Sequence, residues 1–335
     1  MTKIYSVTGE VLFEDDDLTL KELVEKNKRE LRNANLSNCD LTGANLSNAD
    51  LDGAVLSCSN LEGANLAGAN LEGSNLEGAN LEGSNLSGAY MYQTNFTSAN
   101  LAGSDLSGAE ISCSNLEGAN LRGANLSSAN LSCAILYASN MKKANLEGAN
   151  LAGVVLKEAN LEEANMKKAN LTGANIEGSK LEHTNLFAAN LSSANLAASN
   201  LFAANLSSAN LAGAKLKGAN CFATDFEGAD LENADLTYSN LEKADLYKSI
   251  IKNTILPIFS KEVITYRLNG SSFENSDLYE TIVHIGYETK TIKEWDFFFS
   301  DECQDDLWYQ RSSFSFKKIK AHYHAIRAFI QNMIE

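Results

Sequence analysis

From position 34 the chain repeats in fives. Every residue whose number ends in 1 or 6, from Leu36 to Leu256, is apolar, and 36 of these 45 positions are Leu. The others are Met91, Phe96, Ile111, Met141, Met166, Ile176, Cys221, Phe226 and Ile251. Two places before each stands a small residue, either Ala, Ser or Thr, with Cys39 and Val154 as exceptions. Asn or Asp fills most of the positions between, and the phase never slips. A period of five fits neither a helix, at 3.6, nor a plain strand, at 2. A coil that closes after a whole number of fives does fit. The small and the large residue of a unit are two apart and point to the same side, so one side forms a continuous interior and the other meets water. Nineteen of the 22 glycines lie two places after the large residue, as Gly43 and Gly83 do. Glycine there suits a corner that needs an unusual backbone angle.

Units such as Ala64-Asn65-Leu66-Ala67-Gly68 resemble the pentapeptide-repeat family, A-(D/N)-L-x-x, over residues 34–258. The resemblance implies an all-β solenoid, a right-handed quadrilateral β-helix with four units per coil. Forty-five units then make about eleven coils, and stacking at ~4.8 Å makes a rod about 54 Å long. Each coil would bury four large side chains, worth roughly 1.5–3 kcal/mol apiece before entropy is subtracted. Stability accumulates along such an array, and its ends need covering.

Three domains are therefore expected: residues 1–33, the array at 34–258, and residues 259–335. Residues 3–14 read as a hairpin around Thr8 and Gly9. A helix follows, with Thr19 and Glu22 as a capping box and Leu20, Leu23, Val24 and Leu31 on one face. It is expected to cover the first coil. Pro257, the sole proline, sits in the last unit and removes an edge donor. Residues 271–280 look like two further units out of register, and the aromatic-rich residues 290–299 are expected to pack on the final coil. A terminal helix from Phe316 carries Phe316, Ile319, Tyr323, Ile326, Ile330 and Met333 at spacings of 3 and 4, for packing on its own domain or for dimerisation. These flanks resemble those of pentapeptide-repeat proteins in phage and bacterial genomes.

Composition narrows the function. Acids outnumber bases 43 to 27, for a net charge of −16, which disfavours direct contact with nucleic acid or an anionic membrane. No apolar run approaches the ~18 residues needed to span a bilayer, and the acidic start is no signal peptide. The six cysteines form no C-x-x-C pair, so free thiols in a cytoplasmic protein are expected. Cys113 and Cys133, 20 apart, should stack closely enough for a disulfide in principle. No Walker A, G-x-S-x-G or H-E-x-x-H motif occurs. His322 and His324 are two apart on the expected helix and cannot share a metal. No catalytic, cofactor-binding or metal-ligating residues are assigned, and a smooth rod lacks an enzyme's concave pocket.

Residues 20 apart should stack, which turns the sequence into a surface map. Residues 34–121 contain ten carboxylates, including Asp52, Glu62, Glu72, Glu77, Glu82 and Glu117, and no Lys or Arg. Ten charges over roughly 21 Å compare with about 12 on the same length of duplex DNA. Residues 122–218 form a waist with nine bases against six acids, and acid dominates again from 219 to 252. Some members of the family, the fluoroquinolone-resistance and toxin-immunity proteins, resemble B-form DNA and occupy the DNA-binding saddle of gyrase. The resemblance therefore implies a DNA-mimicking inhibitor or protector of a nucleic-acid-binding enzyme, contacted through those six acids. The waist and the lack of inserted loops depart from that pattern. Outward glutamates that serve only solubility are the plainer alternative. A second alternative is a structural scaffold or self-assembling module, a homodimer included, using an apolar patch of Phe202 and Phe222 with Phe187 on the adjoining face. A third is a phage-encoded antagonist of a bacterial defence protein.

Overall fold

The computed structural model describes residues 1–246, 248–251 and 254–255, and the backbone of three later strands. Parallel bridges join each residue of the Asn/Asp column to the one 20 places on, from Asn35 with Val55 to Asp235 with Ile255. Four units therefore make one coil. The backbone bonds explain why the period is five. In one unit Asn65 donates to Ala44 of the coil below at 2.9 Å, while Leu66 and Gly68 donate to Asn85 and Ser87 of the coil above at 2.6 and 2.9 Å. The next small residue, Ala69, closes the turn onto Leu66 at 2.9 Å. Nearly every donor of the unit is used, so the coil can stack without exposed edges along its length.

The interior is one continuous cluster from Ile4 to Ile251. Inward leucines such as Leu66, Leu121 and Leu171 are fully buried, and the small residues beside them fill the remaining space. Except at Ser239, whose buried hydroxyl has no partner among the described residues, a Ser or Thr in that place donates its hydroxyl to a backbone carbonyl: Ser59 to Leu56 at 2.6 Å and Thr94 to Leu71 at 2.7 Å. Those buried oxygens are thereby satisfied. Every corner residue from Asn38 to Lys248 adopts a positive φ, near +64° at Gly103 and +55° at Ala198. Glycine is thus preferred at the corner and not required by the winding. The Asn column is structural as well. Asn120 donates to the Asn100 side chain at 2.9 Å, accepts from Asn140 at 3.2 Å, and accepts from the Arg122 backbone at 3.3 Å.

At the start, β1 (Thr2–Ser6) and β2 (Val11–Asp15) form an antiparallel hairpin, and β1 also pairs with β3 (Ala34–Asn35). Helix α1 (Leu20–Lys26) carries the expected capping box, with both the Thr19 and the Glu22 side chain engaged. It is shorter than its apolar spacing suggests. Asn27 ends it by donating its side-chain amide to Leu23 at 2.8 Å. Leu31 is therefore not on the helix. Its amide donates to Asp50 at 3.1 Å and its side chain is fully buried, as in the coil that follows. Ile4, Leu23 and Val24 join the same core. Lys21 and Lys28 reach onto the first coil, donating to the Thr42 carbonyl at 2.7 Å and to Ser47 at 3.1 Å.

Beyond the array, β4 (Ile264–Arg267), β5 (Ile282–Ile285) and β6 (Glu288–Thr291) form an antiparallel sheet in that order. Pro257, the two units expected at 271–280, the aromatic residues after 291 and the terminal helix from Phe316 lie outside the described residues.

Candidate partner-binding surfaces

The position after each inward residue points outward, and its 20-residue stacking produces four faces. The six acidic candidates divide among three of them. Glu62 and Glu82 are on consecutive coils of one face. Asp52 and Glu72 are on the opposite face, and Glu77 and Glu117 on a third, two coils apart. They form a distributed charge around the rod, with no single acidic patch.

Their surroundings differ. Asp52 is paired with the Arg32 guanidinium, whose Nε also lies 3.5 Å from Asp50. The base-free stretch is thus partly neutralised from just before its start. The signal was legible, because residues 32 and 52 are 20 apart. Glu62 and Glu82 are exposed, and each accepts only a side-chain amide, from Asn80 at 3.4 Å and Asn100 at 3.1 Å. Glu72, Glu77 and Glu117 make no ion pair among the described residues, although an Asn side chain fixes each backbone amide at 3.0 to 3.2 Å.

The waist is mixed in sign. Lys142 pairs with Glu162 at 2.8 Å, Lys143 with Glu163 at 3.3 Å and Lys157 with Glu177 at 3.5 Å. The hydrogen bond between Lys142 and Glu162 raises the lysine's pKa and lowers the carboxyl's. Stacking of acid over base accounts for these pairs, so the waist's positive charge is partly cancelled locally. Tyr137 donates to Glu158 at 3.0 Å, which raises the phenol's pKa.

Phe202 and Phe222 stack with centroids 5.7 Å apart and planes 8° apart. His183 meets Phe202 edge-on at 5.4 Å, and Lys243 lies 5.1 Å over Phe222. The result is a column of four side chains over consecutive coils. His183 and Lys243 were missed in the surface map because they occupy the corner position, one residue along from the phenylalanines. Phe187 is on the adjoining face with Lys167 5.8 Å over its ring, and it makes no ring contact with the pair. Phe202 is 37% exposed, whereas Phe187 and Phe222 are half-buried. Ile135 bridges to Val155, and Ile135 is also exposed.

Cys58, Cys113 and Cys133 are exposed free thiols, whereas burial pushes the Cys221 thiol up to about 12. Among the described residues no group of three or more His, Cys, Asp or Glu side chains is placed to hold a metal. No helix among them is long and apolar enough to cross a membrane.

A repeating, outward-variable solenoid of this kind defines a class, the β-helical repeat proteins that present surfaces rather than pockets. The family model described as pentapeptide repeats (8 copies) matches residues 30–73, 74–112, 109–148, 149–186, 179–218 and 214–253. The chain belongs to the pentapeptide-repeat family, and its solenoid is a right-handed β-helix. Among solved structures it is similar to HetL, a pentapeptide-repeat protein involved in heterocyst differentiation regulation from the cyanobacterium Nostoc sp. strain PCC 7120. That match has 28% identity over 70% of this chain and 94% of HetL, with a TM-score of 0.26. QnrB1, a plasmid-mediated fluoroquinolone resistance protein, matches at 19% identity over 57% of this chain and 86% of its own, with a TM-score of 0.29. Rfr23 from the cyanobacterium Cyanothece 51142 matches at 33% identity over 39% of this chain and 63% of its own, with a TM-score of 0.19. Comparison with curated proteins gives no match.

Proposed function

We propose that this protein is a non-catalytic binding protein that presents an acidic rod to the basic nucleic-acid groove of a target enzyme, as inhibitor or protector. The carrying observation is the run of ten carboxylates with no Lys or Arg across residues 34–121. On this reading the rod has about eleven coils, residues 1–33 and 259–335 cover its ends, and its work is done in the cytoplasm. Glu62, Glu82, Glu72, Glu77 and Glu117 supply the contacts. Asp52 contributes less, because Arg32 already holds it. Distribution over three faces suits a target that wraps around its ligand, as a duplex-binding channel does. Gyrase is the target class that the family resemblance implies.

Competition tests the reading. Excess protein should displace duplex DNA from gyrase or from a host nuclease at low salt, and added salt should weaken the effect. Reversing Glu72, Glu77 and Glu117 to Lys should abolish displacement. Failure to displace DNA from any of them overturns the proposal.

The aromatic column favours a second reading, an assembly module that docks through Phe202 and Phe222. Phe202→Asp with Phe222→Asp should then convert a larger species to monomer, and an unchanged mass would exclude that patch.

A further inference from the structure

We propose that one face of the rod pairs with the same face of a second copy, antiparallel and in a fixed register centred on Ala102. The face is traced by a ladder of backbone bonds: Gly43 to Glu62, Gly63 to Glu82, Gly83 to Ala102, Gly103 to Arg122, Gly123 to Lys142 and Lys143 to Glu162, all 2.8 to 3.0 Å. Over the levels matched below, its outward column reads, in order, Thr42, Glu62, Glu82, Ala102, Arg122, Lys142, Glu162, and the same column continues past them with Glu182, Phe202, Phe222 and Glu242. The Lys21 ammonium sits on Thr42 and adds a positive charge at that level.

This column is antisymmetric about Ala102. A two-fold axis lying in the contact plane and perpendicular to the rods sets each level against the level equally far on the other side. Glu82 then faces Arg122 of the second copy, and Glu62 faces Lys142. Lys21 comes opposite Glu162. Each pair occurs twice by symmetry. Other arrangements fail on charge. Parallel rods put Glu62 on Glu62 and Arg122 on Arg122. A shift of one coil in one direction opposes Glu62 and Glu162, and in the other it opposes Lys21 and Lys142.

Three further features suit the contact. Glu62, Glu82 and Arg122 have no ion-pair partner within the chain among the described residues, whereas Lys142 and Glu162 pair with each other at 2.8 Å and share those charges with the second copy. The corners at Gly63, Gly83, Gly103 and Gly123 carry no side chain, and a Cβ at any of them would meet nothing within 4 Å. The two faces can thus approach closely over the centre. The asparagines beside them, Asn80, Asn100 and Asn120, are neutral and already bonded to one another along the rod. The net charge of −16 opposes association at a distance, but salt screens that repulsion beyond about 8 Å while contact pairs act inside it. The matched strip is narrow, so the pairing is weak and strongest at moderate salt, where the net repulsion is screened and the contact pairs are not.

The inference shares Glu62 and Glu82 with the DNA-groove reading, whose test reverses only Glu72, Glu77 and Glu117 on the other faces, so the two can fail separately. Sedimentation of the full chain at about 0.15 M salt, where the screening length is about 8 Å, should show a concentration-dependent dimer. Glu62→Lys with Glu82→Lys should weaken it about tenfold or more, since matched pairs become repulsive. Adding Arg122→Glu and Lys142→Glu to that variant should restore it. Ala102→Cys should give a disulfide-linked dimer on mild oxidation, because the axis brings residue 102 against itself. The parent chain, with Cys113 and Cys133 on the opposite face, should not. A monomer at every concentration, a dimer indifferent to charge reversal, no cross-link from Ala102→Cys, or a dimer lost only with Phe202→Asp and Phe222→Asp would each overturn the proposal.

Discussion

Residues 34–121 and the waist at 122–218 share one backbone and one core but present different surfaces, one acidic and one mixed in sign. In both, inward leucines are fully buried and the same coil-to-coil bonds recur at nearly the same lengths. Outside, the first stretch has carboxylates and no bases, while the waist stacks Lys142 over Glu162 and Lys157 over Glu177. Corners differ too. Eleven of the 17 corners between Asn38 and Gly118 are glycine, against seven of the 20 between Gly123 and Gly218. The winding is therefore indifferent to what lies outside it. Inner positions hold the fold, and the outer positions are free to vary for recognition.

That division can be broken most forcefully at the core. Leu81→Asp in the first stretch and Leu171→Asp in the waist should each cost several kcal/mol, because an unpaired carboxylate replaces a fully buried side chain. Urea unfolding followed by circular dichroism should find the two losses alike. A large difference would mean that outer residues contribute to stability after all. Corners offer a smaller and signed effect. Gly103→Ala, at φ +64° with open space around it, should lose about 1 kcal/mol, and Ala198→Gly, at φ +55°, should gain a similar amount. Thermal midpoints moving in opposite directions would support this, and a common direction would refute it.

The smallest expected effect is the pH response of the waist. Glu162 is held below its usual range by its hydrogen bond to Lys142. Its contribution is present above the unfolded carboxylate pKa and is lost as pH falls through the lowered folded value. Lys142 is raised, so its contribution is present below the unfolded lysine pKa and disappears as pH climbs through the raised one. Lys142→Gln should flatten both slight losses in a stability–pH profile. Profiles of parent and variant that coincide would show that the exposed pair adds nothing measurable.

Much of this was readable before any coordinates. The period of five and the inward column follow from Leu, Ala and Gly positions alone, because burial is a one-dimensional pattern once the coil closes, while the 20-residue stacking came with the family resemblance and is seen in the bridges from Asn35 with Val55 onward. The capping box at Thr19 was equally local. The helix's end was not, since Leu31 fits a helical face as well as it fits a coil, and only the pairing with Asp50 separates the two. The surface map was sound at its main column but blind at the corners. His183 and Lys243 entered the aromatic column because corner side chains lean along the rod toward neighbouring coils.

The amino-acid order by itself determined which residues face inward, since that depends only on the repeat length and on the aversion of leucine to water, whereas the closure of the coil after four units sets how far apart stacked partners lie. The 20-residue spacing marked Arg32 with Asp52 and Lys142 with Glu162 as possible pairs, and the tertiary structure decided which such charges meet and which remain free. Arg32 reaches Asp52 and Lys142 reaches Glu162, while Glu62, Glu82 and Arg122 are left without ionic partners. Such choices rest on side-chain reach across a coil spacing, over distances where a single ångström separates an ion pair from two solvated charges.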